Sequence, residues 1–260
     1  MIPEMLIAAT PYLGQILLFF VSGVCGGVAN SIAGGGSFFT FPAMLIAGIP
    51  ALGANISSSI ATLAGYGGGL GEFRHEIAGY RRLLVRLTLV CVAGTVAGAE
   101  ILLASPPTTF RVVVPWLVGV STIAFALAPR WARVAATHPG AGPRMSSRLV
   151  LGVFVLSIYG GYFGSGVGIM LLALLALTIG GHVRAAQGIR LTLAFMKNCV
   201  TTIIFVNRGS LFVAAITYAG AGTARGGVLG ARVIARLGAL AARRVIIAIG
   251  TATTLRLALG

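Results

Sequence analysis

The sequence predicts an all-α polytopic membrane protein made of two inverted repeats, each a Gly-rich broken or re-entrant hairpin followed by three membrane helices. Three observations carry that reading. The first is composition: 57% of the 260 residues are hydrophobic and 9% are charged, with a mean hydropathy of +1.00, well outside the range of soluble domains. Apolar stretches of about 20 residues, the length that crosses a ~30 Å hydrocarbon core, recur along the whole chain and leave no room for a soluble domain. The second is an internal repeat. A shift of 132 residues pairs Gly34 with Gly166, Gly36 with Gly168, Ala54 with Ala186, Phe73 with Phe205, Gly94 with Gly226, Gly98 with Gly230, Ala99 with Ala231 and Arg111 with Arg243. One register for all eight pairs indicates a tandem duplication.

The third is the placement of the arginines. A net charge of +15 would suggest a nucleic-acid partner in a soluble protein, but here the arginines cluster in short loops between apolar segments, where they orient a membrane protein. The loop around Arg81, Arg82 and Arg86 is basic while its repeat-mate around Arg208 is not; Arg236, Arg243 and Arg244 fill a loop whose mate carries Arg111 alone. Two parallel copies would break the positive-inside rule in one half. Copies that each cross an odd number of times satisfy it, with 13 of the 19 basic residues on the cytoplasmic side and Arg190, Lys197 and Arg225 left inside the membrane.

In chain order, residues 1–129 form the N-terminal repeat, 130–146 a loop-like cytoplasmic linker, and 147–260 the C-terminal repeat. The first half has apolar segments at 12–33, 36–49, 51–70, 82–104 and 109–129; the second has them at 147–163, 166–181, 185–206, 210–235 and 241–258. The N-terminal stretch lacks the basic region of a signal peptide, so the first segment is expected to stay. Helices are expected to break at AGGGSFFTFPA and at GGYFGSGVGIMLLA, because adjacent glycines each weaken a helix by roughly 1 kcal/mol. Each arm of the hairpin from Ser147 to Gly180 is then about 16 residues, or about 24 Å, short of a full crossing. Cys25, Cys91 and Cys199 lie in apolar segments and read as packing residues rather than a disulfide framework.

Broken helices in inverted halves are the sequence pointer to a secondary transporter with its site at the repeat interface. Helices that start just after the glycines present free N–H groups and positive dipole ends, so Gly35, Gly36 and Ser37 with Ser165, Gly166 and Gly168 are candidates to cradle an anion. Close helix packing is the competing reading, and it is favoured for Gly222, Gly226 and Gly230. The next segment of each half adds polar residues on one face: Asn55, Ser58 and Thr62, then Gln187, Arg190, Lys197 and Thr201. A charge in the bilayer costs at least ~2.5 kcal/mol, and four acidic residues can pair few cations, so an anionic substrate is the natural partner of Arg190 and Lys197. Snorkelling, or bonding to unwound carbonyls, is the alternative. Glu72, His75, Glu76 and Glu100 could carry protons, but pairing with arginines suits them better. No metal-ligand cluster, zinc-protease motif or nucleotide loop is present; neither a cofactor nor a catalytic set is expected.

AGGGSFFTFPAMLIAGIPALGAN at 33–55, GEFRHEIAGYRRLL at 71–84, GGYFGSGVGIMLLA at 160–173 and GGVLGARV at 226–233 resemble the sulfite exporter TauE/SafE family of membrane permeases. The resemblance spans nearly the whole chain. It implies a plasma-membrane permease for sulfite, sulfonates or related organosulfur anions. The basic position of the second-half helix, often lysine in such sequences, is Arg190 here, which favours bidentate oxyanion contact. The implied partners are a small anion, the bilayer and a coupling ion, H+ or Na+, with homo-oligomerisation left open and nucleic acid excluded. An anion channel and a non-catalytic membrane subunit are the rival readings.

Overall fold

The computed structural model describes residues 11–32, 34–70, 73–137, 146–179, 183–237 and 239–259, which form eleven helices. In the first half these are α1 (Leu13–Ile32), α2 (Ser37–Ile46), α3 (Ala51–Leu70), the short α4 (Arg74–Ala78), α5 (Arg81–Ala104) and α6 (Pro107–Thr137). The second half has α7 (Ser147–Tyr162), α8 (Val167–Ile179), α9 (Val183–Arg208), α10 (Val213–Leu237) and α11 (Ala239–Leu259). Every apolar segment read from the sequence holds a helix. Four of the helices, in α1, α5, α6 and α9, are both long and apolar enough to cross a membrane. The linker differs from expectation: α6 runs through Pro129 to Thr137, so residues 130–137 are helical. A proline inside a helix removes one hydrogen bond, which is not enough to end a 31-residue helix. Residues 138–145 lie outside the described set.

The breaks fall at the glycines. Gly34 and Gly166, mates at the constant offset, take φ of 81° and 75°, and Gly164 takes 76°, a left-handed conformation that costs an L-residue roughly 1–2 kcal/mol. The chain turns there and restarts as α2 and α8. These are short, ten and thirteen residues, so about 15 and 20 Å long; α7, at sixteen residues, is about 24 Å. The short arms expected of the second hairpin are therefore present.

Two pairs of helices lie side by side, each pair running in one direction. In the first, α1 and α10, Gly23 meets Ala219, Gly27 meets Thr223, and a Cβ on Gly230 would lie 2.6 Å from Ser31 Oγ. In the second, α5 and α7, a Cβ on Gly94 would lie 2.6 Å from the Phe154 carbonyl, and Gly98 meets Ile158. Gly94 and Gly98 are the mates of Gly226 and Gly230. Small residues at such contacts let helix backbones approach, which is how helices associate where lipid removes the hydrophobic driving force. The elements also sort into two ends. Gln15 bonds the Ala47 carbonyl, the Phe212 N–H bonds Ser57, and Arg208 pairs with Glu100 at 2.6 Å at one end; Arg184 pairs with Glu76 at 2.7 Å at the other. Aromatic contacts fix the bends between these ends: Phe38 meets Phe125 edge-on with centroids 5.2 Å apart, and Phe41 meets Phe163 at 5.6 Å.

Candidate functional site

The two bends meet in the interior. A Cβ on Gly34 would sit 2.7 Å from Gly168 Cα and 2.6 Å from Arg190 Nη1, and a Cβ on Gly168 would sit 3.1 Å from the same nitrogen. Two glycines, one from each half, thus make the space that the guanidinium fills. Arg190 comes from α9 and is 0% exposed. Its Nη2 donates to the Asn30 carbonyl at 3.3 Å, near the end of α1, while Nε and Nη1 have no partner. Those two nitrogens carry three N–H bonds. Among the described residues no carboxylate forms an ion pair with it; the ion pairs found there use Glu76 and Glu100.

The surroundings are polar and closed. Asn30 Oδ1 accepts from the Gly36 N–H at 2.7 Å and from the Tyr66 hydroxyl at 3.3 Å. Tyr66 is buried, interacts with the side chain of Asn198 and lies within electrostatic reach of Arg190. Asn30 Nδ2 and Asn198 Oδ1 are buried without a partner. Buried polar groups are nearly always satisfied, so these orphans around Asn30 mark a candidate place for a polar ligand.

Lys197 defines a second patch. It lies seven residues beyond Arg190, about 10 Å along the helix axis, and is 3% exposed. Its Nζ donates to the Gly160 carbonyl at 3.4 Å, in the last turn of α7, where the unpaired carbonyls and the negative dipole end favour a cation. A Cβ on Gly164 would lie 3.3 Å from both Lys197 Nζ and Ser59 Oγ. Asn55 Nδ2 donates to the Tyr162 carbonyl at 3.0 Å, close to this patch, and Gln187 Nε2 donates to the Ser31 carbonyl at 3.4 Å, close to the Arg190 patch. Each amide therefore reaches the end of the opposite half's first hairpin arm.

The predicted residues thus separate. Gly36, Gly168, Gln187 and Arg190 gather at the first patch; Asn55 and Lys197 belong to the second. Ser58 is closed off by a 2.6 Å hydrogen bond to Thr40, and Thr62 donates to the Ser59 carbonyl of its own helix. Gly35 packs against the Phe125 ring, and Gly166 against Ser121. Ser165 is buried, with its carbonyl accepting from Ser121 at 2.8 Å and from Tyr159 at 3.1 Å, so it braces the bend; Ser37 is half-buried at the start of α2. Arg225 stacks over the Phe20 ring at 5.2 Å instead of joining either patch. Glu4, Glu72, His138 and His182 lie outside the described residues. Asn30, Tyr66 and Asn198 were not singled out from the sequence, although Tyr66 and Asn198 are mates at the 132-residue offset.

The model of the sulfite exporter TauE/SafE family matches residues 19–257. The chain belongs to this family. It is also 27% identical over 250 residues to a probable membrane transporter protein, ORF9, of Sinorhizobium sp, an alignment covering 93% of this chain and 92% of the relative. No solved structure matches significantly. As a TauE/SafE member the chain is a multi-pass membrane transporter, and the two patches are its candidates for contact with a transported solute.

Proposed function

We propose that this TauE/SafE member is a secondary transporter for sulfite, a sulfonate or a related small organosulfur anion. In this reading the anion binds at Arg190 between the two glycine bends, and the two halves are inverted copies that expose it to each face in turn. One observation carries the proposal: a fully buried guanidinium with three unpartnered N–H bonds at the point where both bends meet. A buried charge without a counter-charge is strongly unfavourable, and an oxyanion supplies both the charge and the acceptors.

The inverted arrangement is supported by direction. α1 runs alongside α10, and α5 alongside α7, so the first hairpin opens toward the end that holds Arg208 and Glu100. The second hairpin opens toward the end that holds Arg184 and Glu76. Each half adds three long helices to its hairpin, an odd number of crossings, which is the condition set by the arginine distribution.

The test is counterflow of labelled sulfite in proteoliposomes, with unlabelled sulfonates, sulfate and carboxylates as competitors. Saturable exchange that sulfonates inhibit and that Arg190→Ala loses is the expected result. A conductance without counterflow would make the protein a channel; a folded protein that exchanges no anion would sink the proposal. Topology is checked separately, since cysteines placed beside Arg81 and Arg243 should label from the same face.

A further inference from the structure

Asn30 sits where four elements meet. Its carbonyl receives Arg190 from α9, and its side-chain oxygen receives two hydrogens, from Gly36 at the bend and from Tyr66 on α3. The Gly36 N–H can only donate, so at 2.7 Å it fixes which way the carboxamide faces: the flipped amide would turn its own N–H bonds against it, and the Tyr66 hydroxyl adds a second hydrogen to the same oxygen. Nδ2 is thereby committed to presenting its two N–H bonds beside the bend, 2.5 Å from where a Cβ on Gly36 would sit. It is 1% exposed as a residue and Nδ2 has no partner. Arg190, joined to the same residue through the Asn30 carbonyl, holds Nε and Nη1 equally buried and unpartnered. Two side chains, one from each half, therefore offer only donors at one closed place.

The charge there is single. Lys197, the other buried cation, is about 10 Å farther along α9 and is directed at the Gly160 carbonyl, too far to share one small anion with Arg190. A doubly charged anion at Arg190 would keep one uncompensated charge in a closed, low-dielectric site, which is heavily disfavoured. A singly charged oxyanion is balanced and can use all the donors.

We propose that the Asn30 carboxamide is the second anion ligand beside Arg190, that Tyr66 positions it, and that the pair selects singly charged over doubly charged oxyanions. The inference rests on the transport reading above and adds a residue and a selectivity to it.

Binding is measured on the purified full-length chain by ligand-induced thermal stabilisation. The probes are methanesulfonate and sulfate, anions of similar size and shape that differ in charge. Methanesulfonate is expected to bind at least about tenfold more tightly than sulfate, given what an uncompensated buried charge costs. Asn30→Asp is the decisive variant: it keeps the oxygen that accepts from Gly36 and Tyr66, replaces only the donor, and supplies Arg190 with an internal carboxylate. It should fold, since a carboxylate oxygen accepts at the bend as the amide oxygen does, and lose methanesulfonate binding by at least about tenfold. Tyr66→Phe should weaken methanesulfonate several-fold and leave the preference over sulfate in place. Equal binding of the two anions by wild type, unchanged binding in Asn30→Asp, or wild-type behaviour in Tyr66→Phe each overturns the inference while Arg190→Ala still abolishes binding. If wild type binds no oxyanion, or Arg190→Ala binds like wild type, the transport reading falls and this inference falls with it.

Discussion

Ser58 on α3 and Arg190 on α9 occupy the same position in the two halves, and the structure treats them in opposite ways. Ser58 is closed, its hydroxyl bonded to Thr40 within the first half. Arg190 is open, reaching across to Asn30 with one nitrogen and holding two others without a partner. The scaffold around them is shared: glycine bends with left-handed mates Gly34 and Gly166, and an amide from each half, Asn55 or Gln187, bonded to the end of the opposite hairpin arm. The difference teaches that the two bends share a backbone conformation, while the side chains at one pair of positions 132 residues apart set where the charge beside Asn30 lies. A serine at both positions would leave no cation beside Asn30, and an arginine at both would crowd two cations between the bends.

The sharpest way to break this comparison is to truncate both positions. Arg190→Ala removes a charged donor whose hydrogen bonds to an anion are worth about 1.5–3 kcal/mol each, so anion affinity in proteoliposome exchange should fall at least tenfold, by the ~1.4 kcal/mol-per-decade conversion. Ser58→Ala should leave affinity within about twofold and cost about 1 kcal/mol of stability, the value of one neutral hydrogen bond. Equal losses of affinity from the two variants would mean that the halves share one polar site and that the asymmetry has no functional meaning.

The next effect separates two kinds of glycine. Gly34 and Gly48 both take positive φ, 81° and 86°, so alanine at either should cost roughly 1–2 kcal/mol of stability. A Cβ on Gly34 would press on Arg190 Nη1 at 2.6 Å, while around Gly48 there is open space. Gly34→Ala should therefore weaken anion binding as well as stability, and Gly48→Ala should lower stability alone. Thermal unfolding with and without methanesulfonate reads both quantities in one experiment.

The helices and the bends were legible in the sequence because each depends on local composition: apolar runs and adjacent glycines. Arg190 was legible as well, since a charge in an apolar helix is conspicuous by itself. What surrounds it was not. Asn30 lies one turn before the first glycine bend and becomes a ligand candidate only through contacts with Gly36, Tyr66 and Arg190, which are 6, 36 and 160 residues away. Tyr66 could have been found from its repeat-mate Asn198, a polar residue at the same place in the other half. The split between Arg190 and Lys197 was hidden for a different reason: seven residues apart, they share a face of α9, but the facing elements are different hairpins. Pro129 misled in the opposite direction, because a proline near arginines reads as loop where the helix continues to Thr137.

Lys197 gives a smaller test of the same contrast. If it serves the end of α7, as its bond to the Gly160 carbonyl suggests, then Lys197→Met should change methanesulfonate affinity by no more than about threefold. It should leave stability close to wild type, since replacing a buried, weakly paired charge by an apolar side chain of similar volume is often neutral. A loss as large as that of Arg190→Ala would join the two patches into one site.

The smallest effect lies at the membrane edge, where α9 is tied at both ends to the first half by Arg184–Glu76 and Arg208–Glu100. The Glu76 carboxyl is held below its ordinary value, first by a backbone hydrogen bond and then by its bond to Arg184. A carboxyl whose folded value is depressed contributes stability above its unfolded value and loses that contribution as pH falls through the folded one. Glu76→Gln should therefore be slightly less stable than wild type at neutral pH, with the gap closing as the solution is made strongly acidic. High salt should shrink the gap too, because the pair is exposed on its arginine side, 69% for Arg184, and counter-ions screen it. Unfolding midpoints of the two proteins across a pH series at low and high salt measure this. A gap at neutral pH larger than that of Gly34→Ala would place the main hold on α9 at its end, where lipid meets water, instead of at the bends around Arg190.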